Sequence, residues 1–238
     1  MDTLFTNVRI LDGSGTNHPY TGSVLVQGNR IRQVGRSTAP ISPAGATVID
    51  GAGRGITLSG GGTQCILRIT GGGTQVALKN LTLTGGHVKD RDGGAILLES
   101  GSLSIGGSTI SDSRAEGPAF SAPGSGGGIF ARSGALLLVS DSRFLRNGVT
   151  YNGGAIATGA GVVLSVRNSE LSGNFTSRFI GGAIFVDGNA SLNVDGSILA
   201  DNGAGEYGAC GAISVGRGNA VVSRSSIIGN GAGLIGGI

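Results

Sequence analysis

GGAIATGAGVVLSVRNSELSGN (153–174) is one turn of a repeat, and its parts return along the chain at nearly even intervals. The opening Gly-Gly-Ala-Ile also stands at 93–96 and 181–184, with the variants GGGI at 126–129 and CGAI at 210–213. A further copy opens at 236–238 (GGI). Ile96, Ile129, Ile156, Ile184 and Ile213 are 33, 27, 28 and 29 residues apart. A steady period in the range of about 20–50 residues marks a stacked-repeat architecture.

Aligning the copies on GGAI brings more columns into register. Leu103, Leu137, Leu164, Leu192 and Val221 form one, and Ile105, Val139, Val166, Val194 and Ser223 the next. A serine column follows at Ser108, Ser142, Ser169, Ser197 and Ser226, then Ile110, Phe144, Leu171, Leu199 and Ile228. The copy closes on Ser113, Asn147, Asn174, Asn202 and Asn230. An earlier, degenerate copy places Val76, Leu78, Leu81 and Leu83 correspondingly. Within each segment apolar residues alternate with polar ones, the period of a strand with one face inward, and helical periodicity is missing. The expected fold is therefore all-β: a right-handed parallel β-helix with three short strands per coil of about 28 residues, coils stacked about 4.8 Å apart. Paired glycines permit tight corners and close stacking. The serines are placed to bond neighbouring turns, and the asparagines to stack as an amide ladder.

Composition agrees. Glycine supplies 49 of 238 residues, but hydrophobic residues supply 39% and sit in alternating runs, so each run can bury a face. Aromatic residues are only 4% and tryptophan is absent, which leaves Ile, Val, Leu and Ala to fill thin layers. The net charge of +3 comes from scattered arginines, without the basic stripe or aromatic support of a nucleic-acid footprint, so no nucleic-acid partner is expected. Cys65 and Cys210 lack metal-ligand spacing and should lie several coils apart, beyond disulfide reach. The opening MDTLFTNVRI has neither the basic start nor the apolar run of a signal peptide, and no apolar stretch is long enough for a helical membrane span. The chain by itself is expected to be soluble and not exported, and its localisation stays open.

Residues 1–54 follow another grammar and are expected to form a small β element capping the N-terminal end of a solenoid over 55–238. Leu4–Leu11, Gly22–Gln27, Arg30–Gly35 and Ala46–Asp50 are its strand candidates, with Gly28-Asn29 as a hairpin turn. Its ordered phrases NVRILDGSG (7–15), GSVLVQGNRIRQVG (22–35) and ATVIDGAGR (46–54) resemble the N-terminal segment of the amidohydrolase superfamily. That resemblance implies strands of a β-sandwich beside a metal-dependent barrel, whose next element carries a His-x-His pair. Here GITLSGGGTQCILRI (55–69) follows instead, and His18 and His87 are the only histidines, too few for such a centre. Residues 60–238 resemble the polymorphic outer-membrane protein repeats, and β-helix surface proteins more widely. The motifs are GGAI with FLRN (144–147), LSGN (171–174), LADN (199–202) and IIGN (227–230). This likeness implies a displayed adhesin or surface module. The junction at VIDGAGR (48–54) fits both grammars; a fusion, a fragment, a misassembled frame and an artificial sequence each account for it.

Carbohydrate-active β-helix enzymes need carboxylates on adjacent coils in neighbouring columns. Glu99 and Arg132 share a column one coil apart and are expected to pair on the surface. Asp112 and Asp201 share another column about 14 Å apart. Asp90 and Asp92 form a candidate calcium site or a solvated turn, and Asp141, Arg143 and Arg146 make a further charge cluster. The segment 114–125 (RAEGPAFSAPGS) is an insertion that serves either as a binding loop or as an ordinary surface loop. No catalytic, cofactor or metal residue is assigned. The reading is a non-catalytic structural or binding module whose partner is a carbohydrate or a protein surface. The alternatives are a polysaccharide lyase or glycoside hydrolase, and an inactive amidohydrolase remnant. The apolar strand opening at Leu234–Ile238 is expected to promote end-to-end association.

Overall fold

A computed structural model describes residues 2–10, 20–27, 30–36, 48–118, 123–205 and 207–233. Among these residues there is no helix. The expected corner at Gly28-Asn29, His18, the tip of the insertion at 119–122 and the Leu234–Ile238 strand lie outside them.

From Val48 onward the chain winds as a parallel β-solenoid. The GGAI copies build one six-stranded sheet: Leu67–Ile69, Ile96–Leu98, Ile129–Ala131, Ile156–Thr158, Ile184–Val186 and Ile213–Val215. The second sheet has seven strands, Val48–Asp50, Gln75–Lys79, Ser102–Gly106, Leu136–Ser140, Val163–Arg167, Ala190–Asp195 and Gly218–Ser223. The third runs from Ile56–Ser59 through Leu81–Thr84, Thr109–Ser111, Arg143–Leu145, Glu170–Ser172 and Ile198–Ala200 to Ser226–Ile228. These are the three strands per coil expected from the repeat. Past the asparagine corner, segments of two or three residues add a fourth, narrow ladder from His87–Lys89 and Arg114–Glu116 to Gly231–Ala232. Such short segments show no alternation and leave no sequence signal. The ladder also begins earlier than the expected 54/55 boundary, because Val48, Ile49 and Asp50 pair with Ala77, Leu78 and Lys79.

Upstream, Asp2–Ile10, Tyr20–Gln27 and Arg30–Arg36 form an antiparallel sheet in that order, with Val24 opposite Val34. The first of these strands comes within 8 Å of Val48–Asp50, measured between Cα atoms.

The interior columns are those the periodicity marks. Ile96, Ile129, Ile156 and Ile184 are fully buried and face each other through successive coils. Leu103, Leu137, Leu164 and Leu192 do the same on the second sheet. The last coil departs from the expected alignment by one residue. Leu192 pairs with Ala220 rather than Val221, and Val194 with Val222 rather than Ser223. Likewise the serine and leucine columns continue at Ser225 and Ile227, not at Ser226 and Ile228. The cause is local: the turn joining Val215 to Gly218 is one residue shorter than the turn joining Val186 to Ala190.

Left-handed corners recur along the coils: one joins the first sheet to the second (Gly71, Gly101, Gly134, Gly161, Gly188), and there are three more. One is the first residue of GGAI (Gly93, Gly126, Gly153, Gly181, Cys210) and one precedes the serine column (Asn80, Gly107, Asp141, Asn168, Gly196, Arg224). The third precedes the Ser113/Asn column (Gly85, Asp112, Arg146, Gly173, Asp201, Gly229). Glycine, Asn and Asp dominate because positive φ costs them least.

Two buried polar ladders hold the coils in register. The backbone N–H groups of Ser108, Ser142, Ser169 and Ser197 donate to the Oγ of the next coil's serine at 3.2, 3.2, 3.1 and 3.0 Å. Each of those hydroxyls donates in turn to the carbonyl two residues before it. In the second ladder Asn147, Asn174 and Asn202 each donate both the backbone N–H and Nδ2 to the next asparagine's Oδ1. The same Nδ2 groups also reach back to the carbonyls of Ile110, Phe144 and Leu171, each at 2.9 Å. A buried amide pays no desolvation penalty when all its groups are bonded in this way.

Thr158 breaks that rule. It stands in the interior column with Leu98 and Ala131, 2% exposed, and its hydroxyl has no partner. An unmade buried hydrogen bond costs about 1–3 kcal/mol. Thr158→Val should therefore stabilise the fold by about 1 kcal/mol, read as a higher urea midpoint at unchanged slope; a loss of stability would show that the hydroxyl is satisfied after all.

Candidate functional site

Among the described residues the charged side chains lie on the corners and outer faces, and several are paired between coils. Arg146 grips Asp112 with Nε and Nη2 at 2.8 and 2.9 Å. Arg143 meets Glu170 at 2.8 Å, and Arg224 meets Asp195 through two nitrogens. The Asp141/Arg143/Arg146 cluster is thus dispersed: its two arginines serve different coils, while Asp141 sits at a corner, 3.4 Å from Asn168 Nδ2. Asp112 and Asp201 do share a column, with Arg146 between them. Glu99 differs from expectation. Its carboxylate pairs with Arg68 of the preceding coil at 2.9 Å instead of with Arg132, because the Arg68 side chain rises from the outer face of the neighbouring strand.

These contacts set the titration of the acids. The Arg146 hydrogen bonds hold the Asp112 carboxyl below the usual range, and Arg224, then Ser223, do the same for Asp195. Asp50 is lowered by Asn80 Nδ2 and then by the Ala52 N–H. A carboxyl whose folded pKa lies below its unfolded value of about 3.9 contributes stability that is present above that value and lost as pH falls through the folded one. Melting temperature should therefore hold steady down to about pH 4 and then fall, and Asp112→Asn with Asp195→Asn should flatten the fall. An unchanged acid limb in the double variant would contradict this assignment.

Two of the concavities on the outer surface bear on binding. One is a shallow depression of about 880 Å³ along the outer face of the second sheet. Ser104, Leu138, Ser165, Asn193 and Val221 follow one another across it, and Leu138, Val163 and Val221 are 41%, 49% and 60% exposed. Among the described residues its charged lining is Lys79 and Arg167, with no carboxylate.

The other is a charged recess of about 580 Å³ at the N-terminal coils. Its floor is the outer face of the first sheet with Arg68, Leu97 and Glu99, and Arg132 stands at the end of the next strand. The arm His87–Asp92 and the turn Thr63–Cys65 form the walls. The arm is fixed by its pairing with Arg114–Glu116 and by Asp92, whose Oδ1 accepts the N–H groups of Gly124 and Ser125 at 2.9 Å each. The Asp92 carboxylate thereby braces the exit of the 114–125 insertion. Tyr151 braces its entry, donating from its hydroxyl to Pro118 O at 2.9 Å and stacking on Phe179 at 4.6 Å. His87 Nδ1–H donates to Gly62 O at 2.9 Å; Nε2 is buried, with Glu116 Oε1 at 3.5 Å but not aligned for a hydrogen bond. The Cys65 thiol lies against Leu67 O and Ala95 O, and burial pushes its pKa up, which keeps it protonated. Cys65 and Cys210 are both free.

Sequence reasoning marked Asp90 with Asp92 and Glu99 with Arg132, and did not join these two groups to each other or to Arg68 and Lys89. The available signal was alignment of the degenerate coil: Leu67 occupies the GGAI isoleucine position, which puts Arg68 beside Leu97. No helix among the described residues is long and apolar enough to cross a membrane. Comparison of the chain with family models, with curated proteins and with solved structures returned no match.

Proposed function

We propose that the chain is a non-catalytic structural or binding module, similar to a segment of a β-helix adhesin or surface passenger. The observation that supports it most is the use made of the corner carboxylates. Asp112 and Asp195 are each clasped by an arginine of the following coil and kept ionised. A general acid needs the opposite environment, one that raises its pKa toward neutrality. The repeat thus uses its acids as fasteners between coils and leaves broad outer faces for contact. The test is incubation with neutral and acidic polysaccharides, with and without Ca²⁺. No release of reducing or unsaturated ends is expected; release would make the chain a carbohydrate-active enzyme and overturn the proposal.

A further inference from the structure

The recess at the N-terminal coils has a composition that specifies a ligand. Among the described residues Lys89, Arg91 and Arg132 line it without a carboxylate partner, whereas the other arginine on its floor, Arg68, is neutralised by Glu99. Lys89 and Arg91 stand on the arm and Arg132 on the sheet, so the cations face the cavity from two walls. The remaining polar lining includes the Thr63 hydroxyl, the Gln64 amide and three carboxylates: Asp92 is held by the Gly124 and Ser125 N–H groups, Glu99 by Arg68, and Asp90 is left to accept from a ligand. Among the described residues it is lined by no Phe, Tyr or Trp, and its one aromatic ring is that of His87. Its volume of about 580 Å³ falls within the range of about 300–1,000 Å³ found for small-molecule sites.

We infer that this recess binds an acidic oligosaccharide segment. Carboxylate or sulfate groups at its two ends pair with Arg132 on one wall and with Arg91 and Lys89 on the other. Sugar hydroxyls between them donate to Asp90 and exchange hydrogen bonds with Thr63 and Gln64. Arginine suits this role because its planar donors meet a carboxylate in two places at once. The inference rests on the binding-module reading and supplies its ligand class.

Calorimetric titration of the full chain at low ionic strength, with trigalacturonate and with neutral galactotriose as probes, tests it. Saturable binding of the acidic trimer alone is expected, weakened about tenfold by Arg132→Gln and again by Arg91→Gln. The Arg132 side chain makes no hydrogen bond, so its variant should fold, and a matching thermal melt checks this. Arg143→Gln, on the third sheet, should leave binding unchanged. Equal binding of galactotriose, tighter binding of adenosine triphosphate than of the acidic trimer, unaltered affinity in the Arg132 and Arg91 variants, or no heat up to millimolar probe each overturns the assignment. Cleavage of bound trimer sinks the non-catalytic reading but leaves the site standing, whereas absence of both binding and cleavage sinks only the site.

Discussion

Asn174→Ala is expected to destabilise the protein by about 3–4 kcal/mol, more than any surface change. The side chain is fully buried and serves both neighbours at once. Its removal takes the acceptor away from Asn147, which donates to it twice, and the Nδ2 donor away from Phe144 O. Each abandoned group in the buried interior costs about 1–3 kcal/mol. Asn230→Ala removes a similar group at a half-buried position, where solvent compensates, and should cost only about 1 kcal/mol. Urea unfolding of both variants gives the comparison. Equal, small losses would mean that the amide ladder decorates the coil without holding it.

Gly154→Ala should be tolerated about as poorly. A Cβ there would lie 2.3 Å from Gly182 O of the next coil and 2.5 Å from Phe175 N near the end of the same coil, both backbone atoms. Neither can move without opening the ladder, so the methyl group should cost about 3 kcal/mol or leave the chain unfolded. The fault lies in stacking distance and not in backbone conformation, because Gly154 has no positive φ. Gly203→Ala is the matched control. It lies in the fourth ladder, where a Cβ meets nothing within 4 Å, and the change should fall within about 0.5 kcal/mol of neutral. Soluble yield and thermal melts separate the two; comparable behaviour would refute the close-approach account of GGAI.

The legible part of this molecule was whatever repeats. The isoleucine column, the leucine column and the asparagine ladder could be written down from spacing alone, because stacking forces equivalent residues into equivalent environments. The alignment slipped where the repeat was judged by residue type instead of by hydrogen bonding. Ser225 and Ser226 look alike in the sequence, and only Ser225 Oγ receives the N–H of Ser197. Likewise Glu99 could be placed in its column, but its choice of Arg68 over Arg132 depends on where long side chains reach. The recess was hidden for a related reason. Its residues come from an arm, a turn and two strands, and the first coil that supplies Arg68 has lost the motif by which coils are recognised.

The serine and asparagine ladders also have a direction. In every rung the backbone N–H belongs to the earlier coil and the accepting side chain to the later one, from Ser108 to Ser142 and from Asn147 to Asn174. During synthesis a coil therefore emerges with its inward donors still open, and they close only when the following coil leaves the ribosome. The growing tip is always the loosest part, and everything behind it is already fastened. Each coil added in the order of translation would close the rungs left open by the one before, so a premature stop leaves the donors of the final coil unpaired.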